Sequence, residues 1–467
     1  MAVKIKKPDP ASSMGSKSHH TVLIAFFLTF AVFSFPLVIA AADELPGQEE
    51  IERLAAGPAL SDLINLALRA NPSIASARQG WRANVEGYRV AGAYPDPKIS
   101  ASYPTETRIG DEEWQIALSQ TVPLPGRLTA EENAASADIR IAHLTYEKAI
   151  RDLAAEVRQS AHELIYLQEA GKIAAGNRDL LNQLLASGTA AYARDRTSLI
   201  DLSRAAAQSG QLGYDAHLLA ETAATEKTRL NGLLGRAPDA VVGPLIPPAL
   251  HSVNHSLDDI YLFVEKNGSD ILLARAALEK SEKNVTLARY KTLPEFDAGL
   301  FVNNINESDQ PGGNGRTGVK AVGVTVSLSM PIWIGKNQGR MAEAKARVEQ
   351  SRAEVQARTY EARAEVSRLF FRLRNAERLV RLYRDELIPQ AAKSVETAET
   401  WFREGRGSLS DFTETRTVWY NFQLALARAT ADYGQNLAAL EGLVGRTLTQ
   451  SEAPSSTVPA AAQEENP

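Results

Sequence analysis

Two near-matching stretches, about two hundred residues apart, constrain this chain more than any other feature. Residues 196–202 and 406–412 share Arg, Ser, Leu and Asp at the same offsets. Each stretch joins the end of one very long helical pattern to the start of another. A chain of 467 residues is long enough for two or three separate domains. The repeated stretches instead predict one helical hairpin written twice, with these stretches as its turns.

Each half also contains two segments in which apolar and polar residues alternate, the pattern of β-strands. They predict a β-hairpin over residues 98–122 and another over 295–330. In the last segment, 321–330, one face is wholly apolar and the other is small or polar, as in a membrane barrel strand. A half-buried strand of a soluble sandwich shows the same alternation, so this strand alone leaves both structures open. The long flanking helices favour the barrel.

A long segment of helix-forming residues follows each hairpin, at 126–194 and at 337–405. At 1.5 Å per residue, each would span roughly 100 Å. Apolar residues in both follow the 3–4 spacing of a coiled coil, as at Val366, Leu369 and Leu373. Shorter helical patterns lie after the turns, at 198–235 and 408–445, and before the hairpins, where Ser61 is the expected N-cap of the first and Asn71-Pro72 can interrupt it. Stacked end to end, the two shorter helical patterns of each half have about the same length as its long one.

The expected boundaries follow from these patterns. The repeats cover 60–236 and 258–446, with a proline-rich linker at 237–257. Residues 1–42 have the lysines, the apolar run and the A-x-A site of a secretory signal peptide. The run is also long enough for a retained anchor, but Pro36 and the small-residue end favour cleavage. Residues 43–59 are expected to be a linker and 447–467 a disordered tail.

Composition excludes several classes of protein. The formal charge is −5, or near −8 without the signal segment, and the chain has 7 His and no Cys. Disulfides, thiolate metal sites and a lipid anchor on cysteine are therefore not expected, nor is a nucleic-acid partner. The sequence shows no phosphate loop and no catalytic set, so neither an enzyme nor a cofactor is predicted. His251 and His255 have helical ligand spacing, but they lie in the linker without a third ligand, so no metal site is predicted.

Four strands per chain cannot close a membrane barrel, because the smallest have about eight, and open sheet edges are not tolerated in lipid. Three copies would give a twelve-stranded barrel with twelve helical columns beside it. The fold prediction is therefore a mainly α protein with a small β part. It forms a trimeric 12-stranded β-barrel continued by a long α-helical coiled-coil barrel, with two internal repeats per chain.

The sequence resembles the TolC family of outer-membrane efflux ducts over residues 58–448. The resemblance rests on residues 60–64 with Ala67-Leu68 and Asn71-Pro72, on residues 94–97 and on the two turns. The strand-to-helix junctions at 122–127, 330–333 and 337–339 are similar to the heavy-metal, cobalt-zinc-cadmium branch. The resemblance implies a homotrimer in outer-membrane lipid whose helical barrel lies in the periplasm. It also implies a passive duct for heavy-metal cations, joined to a periplasmic adaptor and an inner-membrane pump of the RND type. A multidrug duct of the same architecture and a periplasmic coiled-coil scaffold are the alternatives.

The resemblance further implies that the helical turns close the periplasmic end until the pump complex opens it. The candidate gate residues are Arg196, Ser198, Leu199, Asp201, Arg406, Ser408, Leu409 and Asp411. Carboxylates around a narrow mouth would attract cations and repel anions. Acidic residues are equally favoured in the first turn of a helix, so helix capping is the alternative role of both aspartates.

Overall fold

The computed structural model describes residues 54–103, 112–192, 198–305 and 319–449. The predicted signal peptide, most of the N-terminal linker, both hairpin tips, Arg196 and the C-terminal tail from residue 450 lie outside these ranges. The described chain is mainly helical with one small sheet, as predicted. No helix within these ranges combines the length and the apolar character needed to cross a bilayer.

The elements follow one another in two similar series. The first series comprises α1 (Leu60–Ala70), α2 (Pro72–Ala91), β1 (Lys98–Ser102), β2 (Glu112–Val122), α3 (Arg127–Tyr192) and α4 (Leu199–Leu233). The second comprises α5 (Leu257–Asn267), α6 (Ser269–Tyr290), β3 (Glu295–Ile305), β4 (Val319–Ser329), α7 (Ile334–Arg381), α8 (Ile388–Arg403) and α9 (Leu409–Val444). A π-helical turn, Leu382–Leu387, connects α7 to α8.

The four strands form one antiparallel sheet in the order β1-β2-β3-β4. Its central pairing brings the two halves of the chain together, because Ile116 of β2 lies opposite Val302 of β3. The apolar residues of β4 remain open to solvent in the single chain, with Val322, Val324 and Val326 exposed by 71–75%. In the described residues, β1 and β4 are each paired on one side only.

The longest helix, α3, organises the packing. It contacts α1, α2 and α6, and it also contacts α4 and α9. The side-chain amide of Asn71, at the start of α2, donates a hydrogen bond to the carbonyl of Leu233, at the end of α4, over 2.8 Å. The second repeat has a similar joint, where a β-carbon on Gly445 after α9 would lie 2.8 Å from the carbonyl oxygen of Asn267 at the end of α5. Two short helices thus meet end to end in each repeat.

Three apolar clusters hold the helices together. The first joins α1, α3 and α4, and the second joins α5, α6, α7 and α9. Their fully buried members include Leu63, Leu164, Leu230, Ile260, Ile271, Val366, Leu373 and Leu440. The third cluster lies near the turns and is described below. The predicted coiled-coil positions Val366, Leu369 and Leu373 are all buried.

The predicted cap at Ser61 is wrong. Helix α1 begins one residue earlier, at Leu60, and Ala59 holds the N-cap position. The backbone N–H of Ala59 donates to the Asp62 carboxylate over 3.3 Å. The first-turn carboxylate therefore binds the N–H of the N-cap residue, which is the half of a capping box that the N3 residue supplies.

The long helix predicted over 337–405 begins three residues earlier, at Ile334, and ends at Arg403. It contains the π-helical turn, which the sequence patterns did not predict. Pro389 lies in the first turn of α8. Proline has no backbone N–H for the carbonyl four residues before it and its ring crowds that carbonyl. Accordingly, the N–H of Ile388 bonds to the carbonyl of Tyr383, five residues earlier, and the helix widens there.

Candidate functional site at the helical turns

The first turn leads into α4, whose N-terminus is capped by a hydroxyl. Ser198 Oγ accepts the backbone N–H of Ile200 over 3.1 Å. Asp201 lies in the first turn of the helix, where the unpaired N–H groups favour negative charge. Arg196, the remaining candidate on this side, lies outside the described residues.

The second turn is closed at both of its ends. At the end of α8, Gly405 adopts a left-handed φ of 71°. The N–H of Gly405 bonds to the carbonyl of Phe402 over 3.1 Å, and that of Arg406 bonds to Trp401 over 2.9 Å. This is the pairing of a Schellman motif. It ends the helix sharply and directs the chain into α9.

At the start of α9, Ser408 and Asp411 form a reciprocal capping box. The N–H of Asp411 donates to Ser408 Oγ over 3.0 Å, and the N–H of Ser408 donates to the Asp411 carboxylate over 3.3 Å. Asp411 therefore has the capping role that was left open from the sequence. Its carboxylate is nevertheless exposed, so capping does not remove its charge from the surface.

Matching residues of the two turns have different surroundings. Leu199 and Ile200 of the first turn are 59% and 63% exposed, whereas Leu409 of the second turn is 1% exposed. Leu409 packs in the third apolar cluster with Leu181, Leu212 and Tyr420. The second turn is therefore folded against the first helical hairpin, while the tip of the first turn is uncovered in the single chain.

Gly188 of α3 marks the point where the two turns approach the same helix. A β-carbon placed there would lie 2.8 Å from Leu202 Cδ2 and 3.3 Å from Leu409 Cδ2. Leu202 follows the first turn and Leu409 follows the second. Only a residue without a side chain allows both leucines this close an approach.

A polar network that the sequence did not reveal joins α3, α4 and α9 just behind the turns. Arg416 Nε of α9 donates to Oδ1 of the buried Asn177 of α3 over 3.2 Å, and its guanidinium lies 4.1 Å from the centre of the Trp419 ring. Burial lowers the pKa of Arg416, and the attraction of Glu399 only partly offsets this effect. Gln208 of α4 donates to the hydroxyl of Thr417, the next residue of α9. A lone Arg or Gln in a helix rich in polar residues gives no sequence signal for such contacts.

The candidate charges are not linked to one another in the described residues. Arg406 forms an ion pair with Glu404 of its own turn. No hydrogen bond or ion pair joins Asp201, Asp411 and Arg406 in the part of the chain that the structure describes. The turn thus presents separate charged groups at its surface.

The structure gives the two linker histidines ordinary packing roles. The carbonyl of His251 accepts the Tyr433 hydroxyl over 2.5 Å, and the His255 ring meets Phe263 edge-on with centroids 5.3 Å apart. Within the described ranges, no three His, Asp or Glu side chains are grouped so that they could hold a metal ion.

Comparison with known proteins supports the resemblance noted in the sequence. The profile of the outer membrane efflux protein family matches residues 264–446. The fold is also that of solved channels. VceC of Vibrio cholerae superimposes with a TM-score of 0.69 at 18% identity, covering 83% of this chain and 96% of VceC. The second half of the chain thus resembles the outer membrane efflux protein family.

Other similar proteins agree with this family match. The cobalt-zinc-cadmium resistance protein CzcC of Cupriavidus metallidurans is 20% identical over 405 residues, covering 84% of this chain and 92% of CzcC. The open-state MtrE outer membrane channel of Neisseria gonorrhoeae has a TM-score of 0.68 at 18% identity, covering 85% of this chain and 91% of MtrE. The matched family and MtrE are both described as outer-membrane proteins.

Proposed function

We propose that this chain is the trimeric outer-membrane duct of a tripartite efflux system, with its helical part in the periplasm, and that its cargo is heavy-metal cations. In this proposal a periplasmic adaptor joins the duct to an inner-membrane pump of the RND type, which supplies the driving force. The duct itself is passive. The observation that carries the proposal is a four-stranded sheet with two unpaired edges and an exposed apolar face.

The unpaired edges support the trimer. An open edge in lipid leaves backbone N–H and C=O groups without partners, at a cost of several kcal/mol each. Pairing β4 of one copy with β1 of the next removes every edge, and three copies give twelve strands, a size found among membrane barrels. The helices next to these edges also have uncovered apolar side chains, since Tyr88 and Val90 of α2 and Tyr360 and Phe371 of α7 are exposed.

Two matched substitutions test the barrel. Val324 belongs to the apolar face of β4 and is 71% exposed, whereas the adjacent Thr325 points to the opposite face. On the lipid face near the bilayer midplane an arginine costs about 2–4 kcal/mol, whereas in a water-filled interior it is tolerated. Val324→Arg is therefore expected to abolish the heat-resistant trimer in outer-membrane extracts, while Thr325→Arg keeps it. A Val324→Arg trimer as abundant as the wild type would contradict the barrel and favour the periplasmic scaffold.

The cargo proposal is supported by charge and by one relative. The chain carries a formal charge of −5, and removal of the predicted signal segment, with its four Lys and one Asp, would bring it to −5 − 3 = −8. A negative charge favours cations over anions in a shared aqueous path. The relative CzcC is named for cobalt, zinc and cadmium resistance. A multidrug duct of the same architecture is the competing function.

A deletion strain distinguishes the two cargo classes. We would measure growth and cell-metal content under Zn, Co, Cd, Ni and Cu ions, alongside a panel of dyes and antibiotics. Selective sensitivity to metals, with raised cell metal and rescue by the wild-type gene, is the expected result. Sensitivity to dyes and antibiotics alone would assign the duct to a multidrug pump.

We also propose that the turns form the closed gate and that the charge of Asp411 contributes to it, together with those of Asp201 and Arg196. Two substitutions separate charge from capping. Asp411→Asn removes the charge but keeps an oxygen that accepts the Ser408 N–H. Ser408→Ala removes the hydroxyl acceptor, at a cost of about 1 kcal/mol, and leaves the charge.

The readout is the closed-state conductance of single channels in planar bilayers. Asp411→Asn is expected to change the conductance and its cation preference, and Ser408→Ala to stay close to the wild type. If Asp411→Asn left the conductance unchanged, Asp411 would not belong to the gate. An equal change in both variants would mean that the cap, and not the charge, keeps the turn closed.

A further inference from the structure

An open groove separates α6 from α7 close to the sheet. Its volume is about 420 Å³, within the size range of ligand clefts. Its floor is formed by small and apolar side chains, including Leu287, Ala288 and Ala344. Cationic side chains rise around this floor, so the groove has an apolar base and a positively charged rim.

Two of the rim cations are not neutralised. Arg340 Nη1 donates to the carbonyl of Lys291 over 2.6 Å, which holds the guanidinium at the rim and uses one of its five N–H donors. In the described residues, no carboxylate lies within ion-pair distance of Arg340 or Lys291. The other two rim cations differ, because Lys280 pairs with Asp138 over 2.5 Å and Arg347 pairs with Glu343 over 3.6 Å.

The difference between cations with and without a carboxylate partner continues along α7. Farther from the sheet, six arginines of α7 form ion pairs, as Arg352 does with Glu349 over 2.7 Å. Only Arg372 and Arg378 have no ion pair in that part of the helix, among the described residues. Near the sheet, Lys336 joins Arg340 and Lys291 as a cation without such a partner in the described ranges. Uncompensated positive charge is thus concentrated at the sheet end of the helix pair.

An apolar band lies directly beside this charge. β4 ends at Ser329 and α7 begins at Ile334. The junction between them has four apolar side chains that are 64–71% exposed: Met330, Ile332, Trp333 and Ile334. Tryptophan favours the boundary between lipid and water. Trp333 lies seven residues before Arg340, about two helical turns, and thus on the same side of α7.

We propose that this groove binds the phosphate of an anionic phospholipid at the periplasmic edge of the bilayer. Arg340 and Lys291 contact the phosphate oxygens, since a guanidinium can bind two of them at once and an ammonium supplies a point charge. The acyl chains lie along Trp333 and the apolar face of β4. This inference rests on the proposed outer-membrane location of the chain and is independent of its cargo.

Native mass spectrometry of the full-length trimer tests this site. The protein would be mixed with dioleoyl phosphatidylglycerol or with zwitterionic dioleoyl phosphatidylcholine, and separately with inorganic phosphate. We expect one tightly held phosphatidylglycerol per chain and weaker retention of phosphatidylcholine. Since each basic residue near a lipid surface contributes about 1 kcal/mol, Lys291→Gln with Arg340→Gln is expected to weaken phosphatidylglycerol binding about thirtyfold.

The matched control removes two positive charges elsewhere, by Lys172→Gln with Lys227→Gln, and is expected to bind like the wild type. The exposed single variant Lys291→Gln is a second test that does not disturb the helix contact made by Arg340. Equal retention of the two lipids, or equal losses in the groove and control variants, would overturn the proposal. Binding of inorganic phosphate that phosphatidylglycerol does not displace would assign the groove to free phosphate and also overturn it.

Discussion

Gly434 of α9 lies directly against the ring of His162 of α3, and this contact makes a quantitative prediction. A β-carbon on Gly434 would be nearer than 3.0 Å to three atoms of the ring. The ring has little room to move, because His162 is only 9% exposed and the neighbouring cavity measures about 10 Å³. Gly434→Ala therefore forces a shift between two long helices.

Two opposing terms determine the size of the effect. Overpacking a tight contact costs about 1–3 kcal/mol, and replacing glycine by alanine inside a helix contributes about 1 kcal/mol of stability. We expect a net loss of about 1 kcal/mol for Gly434→Ala. In a His162→Ala background the ring is gone, so the same substitution becomes stabilising by up to about 1 kcal/mol.

The assay is thermal unfolding of the purified protein in detergent, followed by far-UV circular dichroism for the single and double variants. The sign of the effect remains informative even where unfolding is irreversible. Gly210→Ala in α4, where a β-carbon meets nothing within 4 Å, is the matched control and should stabilise both backgrounds. If Gly434→Ala changed the midpoint equally with and without His162, the steric argument would be refuted.

Three further predictions concern residues of the long helices and of the turns. Burial, aided by Arg158, lowers the pKa of His162 from 6.5 to about 4. The unfolded chain therefore binds a proton more readily between these values, and stability falls by about 2 kcal/mol at about pH 5; His162→Gln should lose this part of the pH dependence of the thermal midpoint. Leu409→Ala should cost about 2–5 kcal/mol and expose the turn to proteolysis, whereas Leu199→Ala, at the matching exposed position, should change stability by less than about 0.5 kcal/mol. Pro389→Ala restores a backbone donor and should slow amide hydrogen exchange across residues 385–390; unchanged exchange would mean that proline does not cause the π-helical turn.

The strands could be predicted from the sequence because apolar and polar residues alternate along them with a period of two. A register shift of one residue would move every side chain to the opposite face of the sheet. The residues of the predicted apolar face of β4, Val322, Val324 and Val326, share one face of the strand and are exposed in the single chain. The π-helical turn before Pro389 was not predicted, although the proline is visible in the sequence. The coiled-coil spacing continues across it, and spacing alone does not report a local change in hydrogen bonding.

The site was harder to predict than the fold. The two turns have nearly the same sequence, yet Leu409 is buried and Leu199 is exposed, because their surroundings come from helices far away in the chain. The ion pair between Arg428 and Glu163, at 2.8 Å, joins residues 265 positions apart. Single-sequence patterns describe neighbours within a few turns, so contacts of this kind have no signature in them.

The end-to-end joints at Asn71 and at Asn267 constrain how a duct of this kind can change during evolution. Both joints interrupt short helices beside the unbroken α3, whose Arg151 Nη1 contacts the Asn267 carbonyl over 3.0 Å. From the joints to the turns, four segments lie side by side and set the distance: the end of α3, α4, the end of α7 with α8, and α9. An insertion in one segment would push its turn out of line unless the other three lengthened equally. Adaptation to a wider envelope should therefore proceed in matched steps of seven residues in each segment, about 10 Å at a time.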